Sequence, residues 1–305
     1  MRRTRSEPRL AWSRHGTGPT LVLVNTIGGS QAAWLTCLRE LVPYFSVVTY
    51  DYRGTGASDP GEAQDSVGHL VADLQRLLDE LSVPRAAFVG LGLGAAVVLE
   101  LGVRAPERVE RLVLVAASFG PGVPAAGDAE TYALFREGSA DPDAWLVKLA
   151  PLFFGQRWLL TQADRAGNLG RVWARRGVHP EVRRALWGAH DEFRPDERLQ
   201  GLAAPTLLLH GLEDSASPIE HMERINRWIP GSRLMGLGGV GHRPEIEAPT
   251  IVATLVRDFL RQRGRFLPPP MDEPDDSDAS EAHSDDGGGL GQGRRPADRG
   301  GEPEE

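Results

Sequence analysis

Between Ala86 and Ala96 the chain runs an apolar strand, a glycine turn and the start of a helix with no loop between them. A strand that hands over directly to a helix is half of a βαβ unit, and repetition of that unit builds a parallel sheet covered by helices. The rest of the chain repeats the pattern. Thr20 to Val24 is a continuous apolar run bounded by Gly-Pro and Asn25, as expected of a strand buried on both faces. Ser46 to Tyr50, Val109 to Ala116, Thr206 to His210 and the weaker Arg233 to Leu237 read as further strands. Val67, Leu70, Val71, Leu74, Leu77, Leu78 and Leu81 fall on one face of a helix between Ser66 and Leu81, and Ile251 to Leu260 reads as a closing amphipathic helix. The expected fold is α/β, a mostly parallel sheet with helices on both faces.

The turn Gly90-Leu91-Gly92-Leu93-Gly94 admits two readings. Glycines after a strand suit a dinucleotide-binding turn, where backbone approaches a pyrophosphate. They also match G-x-S-x-G, in which a serine hydroxyl is raised above the sheet on a sharp strand-to-helix turn. Roughly four strand-like segments precede this turn, whereas a dinucleotide fold places it after the first strand, which favours the second reading. Gly92 then stands where the serine would be. Glycine also relaxes the positive-φ strain such a turn imposes, so a purely structural turn is the plainer account.

Three further patterns bear on the choice: Asp51-x-Arg53-Gly54-x-Gly56-x-Ser58; Gly211-Leu212-Glu213-Asp214 with Pro218 beyond; and Gly241-His242-Arg243-Pro244 followed by Glu247 and Pro249. With these, the stretch from about residue 10 to 263 resembles the α/β-hydrolase superfamily. The order of Gly92, Asp214 and His242 is that family's order of nucleophile, acid and histidine. The resemblance implies that Asp214 orients His242 as a general base, with Glu213 as the rival acid one residue earlier. It also implies an oxyanion hole from the backbone amides of Ile27 and Leu93, which a glycine at position 92 leaves intact. Asn25-Thr26-Ile27-Gly28 is similar to the corresponding loop of the 3-oxoadipate enol-lactonase branch.

The strand and helix alternation stops between Gly120 and Leu202, where helical segments take over, as expected of a cap inserted into the core. Trp145, Phe153, Phe154, Trp158, Trp173, Trp187 and Phe193 lie there and are candidates for pocket lining or for ordinary helix packing; His190 adds a polar group near a helix end. The expected organisation is an N-terminal extension at 1–9, a core at 10–119 and 203–263, a cap at 120–202 and a disordered acidic tail at 264–305. Only Leu10 to His15 is left for a leading hairpin.

Composition explains the tail and limits the partners. Of the 42 acidic and 34 basic residues, 12 and three lie between Pro268 and Glu305, leaving a body with 30 and 31. The overall charge of −8 therefore belongs to the tail, whose Pro, Asp and Gly runs lack the apolar side chains needed to order it. One cysteine, Cys37, excludes an intrachain disulfide. No apolar stretch of signal-peptide length follows the basic start, and the 33 arginines are scattered. The expectation is a cytoplasmic protein with a small-molecule substrate or ligand and no nucleic-acid, membrane, metal or cofactor partner. Its oligomeric state is not legible.

Three functional readings follow. In the first, His242 and Asp214 activate water or abstract a substrate proton beside the Leu93 and Ile27 amides, giving hydrolase, lyase or cyclase chemistry on a small apolar ester, lactone or related carbonyl compound. In the second the protein is a non-catalytic binding or scaffold homologue, as in the N-myc downstream-regulated proteins, which carry glycine at the elbow. In the third, Ser118 or Ser30 supplies the nucleophile from elsewhere.

Overall fold

The computed structural model describes residues 1–117, 119, 120, 129–137, 141, 143, 145–175 and 178–262, with 173–175 described by their backbone. The tail expected at 264–305 lies outside the described residues, as does Ser118.

Eight strands form one sheet: β1 (Arg2–Arg3), β2 (Ala11–His15), β3 (Thr20–Val24), β4 (Ser46–Tyr50), β5 (Ala86–Leu91), β6 (Val109–Val115), β7 (Thr206–Gly211) and β8 (Arg233–Leu237). Their spatial order is β1-β2-β4-β3-β5-β6-β7-β8, antiparallel across the first two pairings and parallel across the rest. From β3 the chain first adds β4 on one side and then β5 on the other. The carboxyl ends of β3 and β5 therefore flank a topological switch point, where open α/β sheets leave a crevice for ligands.

Helices cover both faces. On one side α2 (Val67–Glu80) and α3 (Leu93–Arg104) pack; on the other, α1 (Leu35–Leu41) and the closing helix, here α11 (Pro249–Arg261). The two-residue period of a strand divides β3 between them. Val22 and Val24 join one core with Leu74, Leu77 and Phe88, while Leu21 and Leu23 join the other with Trp34, Val89 and Phe259. The helix expected over 66–81 is capped by Ser66, whose Oγ accepts from the His69 amide.

Between β6 and β7 lies the expected helical insertion: α4 (Ala129–Glu137), a π-helical turn (Trp145–Leu149), α5 (Ala150–Phe153), α6 (Gln156–Thr161), α7 (Ala163–Arg175) and α8 (Pro180–Glu192). It carries its own small core of Trp145, Leu149, Leu152, Phe154 and Trp158, joined by Ile246 of the body. Ile246 belongs to α10 (Pro244–Glu247), and α9 (Ile219–Trp228) follows β7.

The N-terminus departs from expectation. Residues 1–9 are not merely an extension, because Arg2 and Arg3 pair with Trp12 and Ala11 and complete a hairpin at the sheet edge. Thr4 closes it: its amide donates to Leu10 O, and its Oγ1 accepts from the Leu10 amide at 2.8 Å. Two arginines carry no hydrophobic alternation, so no pattern announces this strand; the Arg2 guanidinium instead lies over the Trp12 ring.

Candidate active site

At the switch point β5 ends at Leu91 and α3 begins at Leu93, so the whole reversal falls on Gly92, with φ 53° and ψ −116°. Its N–H donates to Val115 O at 3.0 Å, tying the turn to β6. The flanking glycines answer a steric demand. A side chain at Gly94 would meet the carbonyls of Val24 and Asn25, and one at Gly90 would meet the backbone of Gly94. This lets α3 close onto the sheet.

The middle glycine is different, because what it would meet is a side chain. A Cβ at residue 92 would overlap Thr26 Oγ1 and lie 3.0 Å from Thr26 Cβ. Thr26 thus fills the volume of the missing serine side chain. Its Oγ1 makes no hydrogen bond to any described residue.

The acid and histidine loops converge as expected. His242 Nδ1–H donates to Asp214 Oδ2 at 2.8 Å, and the Asp214 side chain is fully buried. The other carboxylate oxygen, Oδ1, accepts from the amides of Ala216 (2.9 Å) and Ser217 (2.8 Å). With Nδ1 committed, Nε2 is the histidine nitrogen left for chemistry. Glu213 is directed elsewhere: its Oε2 accepts from the Gln156 amide at the start of α6. His210, at the end of β7, is buried 3.6 Å from Asp214 Oδ2 with Nε2 donating to Ser217 O. Burial holds its imidazole below the usual histidine range. Sequence reasoning overlooked His210, although a histidine ending an otherwise aliphatic strand was a visible signal.

The loop after β3 is braced from β4. Asp51 Oδ1 accepts from the Gln31 amide at 2.8 Å and Oδ2 from the Ala57 amide, while a side chain at Gly56 would collide with the same carboxylate. Arg53 of this motif pairs with the buried Asp73 through Nε (2.8 Å) and Nη2 (2.5 Å). The Asp51-to-Ser58 pattern is therefore a bracket for the loop carrying Ile27, and contributes no group to the dyad. Asn25 donates from Nδ2 to Tyr50 O, and Tyr52 donates its hydroxyl to Asn25 O at 2.7 Å. Leu93 is the first residue of α3, so its amide has no partner within the helix.

These groups open on a cavity of about 880 Å³ whose walls include Thr26, Ile27, Gly92, Leu93 and His242. The insertion supplies Leu134, Phe135, Trp145, Phe153, Trp187 and His190 to the same walls. Phe154 and Trp158, also candidates from the sequence, stack on each other inside the insertion, and Phe193 packs into the main core. The Trp173 side chain lies outside the described residues. His190 Nδ1 is 3.1 Å from Asp191 Oδ1. Burial alone would raise the Asp191 carboxyl, but hydrogen bonds from His190 and Arg136 hold it at about 2. Arg183 also reaches the cavity, with Nη1 3.8 Å from where a Cβ on Gly28 would lie. Burial lowers its guanidinium from the usual range. Ser30 lines the cavity as well, in extended backbone before a short 3-10 turn. Among the described residues no group of three or more His, Cys, Asp or Glu could hold a metal ion, and no helix is long and apolar enough to cross a membrane.

Comparison with known proteins agrees with this architecture. A family model described as alpha/beta hydrolase fold matches residues 19–249. A putative carbamate hydrolase RutD from Pseudomonas savastanoi pv. phaseolicola is 29% identical over 253 residues, covering 81% of this chain and 95% of the relative. A 2-hydroxymuconate semialdehyde hydrolase from Pseudomonas sp. strain CF600 is 28% identical over 265 residues, with 81% and 85% covered. Among solved structures, the enol-lactonase from Burkholderia xenovorans LB400 superposes with a TM-score of 0.69 at 24% identity, over 83% of this chain and 97% of that one.

Proposed function

The chain belongs to the alpha/beta hydrolase family, and from that premise we propose that it is a hydrolase-type enzyme acting on a small ester, lactone or related carbonyl compound through His242 and Asp214, without an elbow serine. The observation that carries this reading is the 2.8 Å hydrogen bond from His242 to the buried Asp214, which leaves Nε2 uncommitted on a residue that lines the cavity. A carboxylate so placed selects the tautomer and stabilises the imidazolium formed when His242 takes a proton. The Leu93 and Ile27 amides serve as oxyanion donors, each worth about 3 to 4 kcal/mol of transition-state stabilisation. Apolar walls from the insertion favour a substrate with a hydrophobic body, while Arg183 offers a charge to a polar end near Gly28. Carbamate and semialdehyde, the terms in the relatives' names, fall in the same carbonyl class. The same pair would also serve lyase or cyclase chemistry that begins with proton abstraction.

The test is hydrolysis of a panel of aryl esters, thioesters, carbamates and lactones by the native protein, His242→Ala and Asp214→Asn. The expected loss of kcat/KM is on the order of 100- to 10,000-fold for His242→Ala. A comparable loss is expected for Asp214→Asn, because the amide supports the wrong tautomer. Equal turnover by all three proteins would refute the dyad, and no turnover by any would favour a binding or scaffold role.

A further inference from the structure

We infer that Thr26 is the nucleophile of this site, its hydroxyl having taken the place of the serine absent from position 92. The inference rests on the reading of His242 and Asp214 as the working base, and adds the atom on which that base acts. A serine hydroxyl is one bond from its Cβ, and a Cβ at residue 92 would overlap Thr26 Oγ1. The threonine oxygen therefore stands inside the volume of the lost side chain, in the cavity that His242 and Leu93 also line. Two side chains cannot share that space, so glycine at 92 is a condition for threonine at 26 to point there.

Thr26 Oγ1 bonds to no described residue, His242 included, so its contact with Nε2 is made when substrate binds, as catalytic hydrogen bonds of empty sites commonly tighten only then. Two features suit this hydroxyl to that role. Thr26 is β-branched, which restricts χ1 and keeps the oxygen placed. In the usual elbow the residue after the nucleophile lends its amide to the oxyanion; Ile27 follows Thr26 in the same sequence relation, and Ile27 and Leu93 both line the cavity. Thr36, another hydroxyl on the cavity wall, is committed to Glu245 O at 2.7 Å.

In the first half-reaction Thr26 Oγ1 bonds to the substrate carbonyl carbon, its proton passes to His242 Nε2, and the carbonyl π electrons move to oxygen. Collapse reforms the carbonyl and breaks the bond to the leaving group, which departs with the proton from His242. Water then adds to the threonyl ester, giving a proton to Nε2. That proton returns to Oγ1 as the ester bond breaks, releasing the acid.

The experiment treats the full chain with a p-nitrophenyl alkylphosphonate, follows nitrophenol release, and maps the adduct by peptide mass spectrometry. Aryl-ester turnover is measured in parallel for native protein, Thr26→Val, Thr26→Ser and His242→Ala, each checked for folding by its melting curve. One phosphonyl group on Thr26 is expected. Labelling and turnover should disappear in Thr26→Val, persist in Thr26→Ser and slow by about 100-fold or more in His242→Ala. Turnover near the native rate in Thr26→Val, or an adduct on a serine, would overturn the assignment. If His242→Ala is then inactive, the dyad acts on water and the functional reading stands without Thr26. If His242→Ala is also active, both fail, as they do if native protein neither reacts nor turns over.

Discussion

Gly92 and Thr26 are one steric unit, since the side chain that one lacks is the space that the other fills. Restoring serine to the elbow is therefore not a simple rescue. Gly92→Ser puts a Cβ at φ 53° into contact with Thr26. Overpacking of this kind costs about 1 to 3 kcal/mol. The single variant is expected to melt below the native protein, and Gly92→Ser combined with Thr26→Gly to recover most of the loss, because the two sites are in contact and their effects do not add. Thermal melts of the native, single and double variants measure this. A single variant as stable as native would mean that Thr26 swings aside at no cost.

At the scale of elements, the histidine loop is held by α10, and the clasp is Glu247. Its Oε1 accepts from the Gly241 amide at 2.9 Å and its Oε2 from the Gly155 amide at 2.8 Å, joining the loop before His242 to the start of α6. Burial pushes this carboxyl up to about 7 from an ordinary 4.5, more than those amide donors lower it. The raised value means that folding favours the protonated form. Its contribution to stability is complete below the unfolded value and is lost as pH rises through the folded one. The melting temperature is expected to fall as pH rises from 4.5 to about 7, the interval spanned by the shift, and Glu247→Gln to flatten that part of the profile. Parallel slopes for the two proteins would reject Glu247 as the titrating group.

At the scale of the whole molecule, the buried members of the two cores and of the insertion's core run, among the described residues, no later than Phe259. The acidic tail is poor in apolar side chains and so has little to bury. We expect deletion of Pro268 to Glu305 to leave the melting temperature nearly unchanged while removing 12 acidic and three basic residues, which turns a net charge of −8 to about +1. Differential scanning calorimetry of full and shortened chains tests the first point, and ion-exchange retention the second. A clear drop in melting temperature would place the tail on the body.

Sheet class, strand positions and the convergence of Asp214 with His242 were legible without coordinates. Each is written in local patterns: apolar runs for buried strands, a 3.6-residue period for α2, and motif residues at strand ends, which a parallel sheet gathers on one edge. The Arg2–Arg3 strand was not legible, because two charged residues have no period. Nor could spacing tell Trp145, Phe153 and Trp187 on the cavity wall from Phe154, Trp158 and Phe193 in packed cores, since aromatic side chains carry the same hydrophobicity in either place. The pairing of Thr26 with Gly92 belongs to the same kind. The absence of a serine is readable in one dimension, whereas its replacement by a side chain 66 positions earlier exists only because β3 and β5 lie side by side and close packing forbids an empty space between their ends.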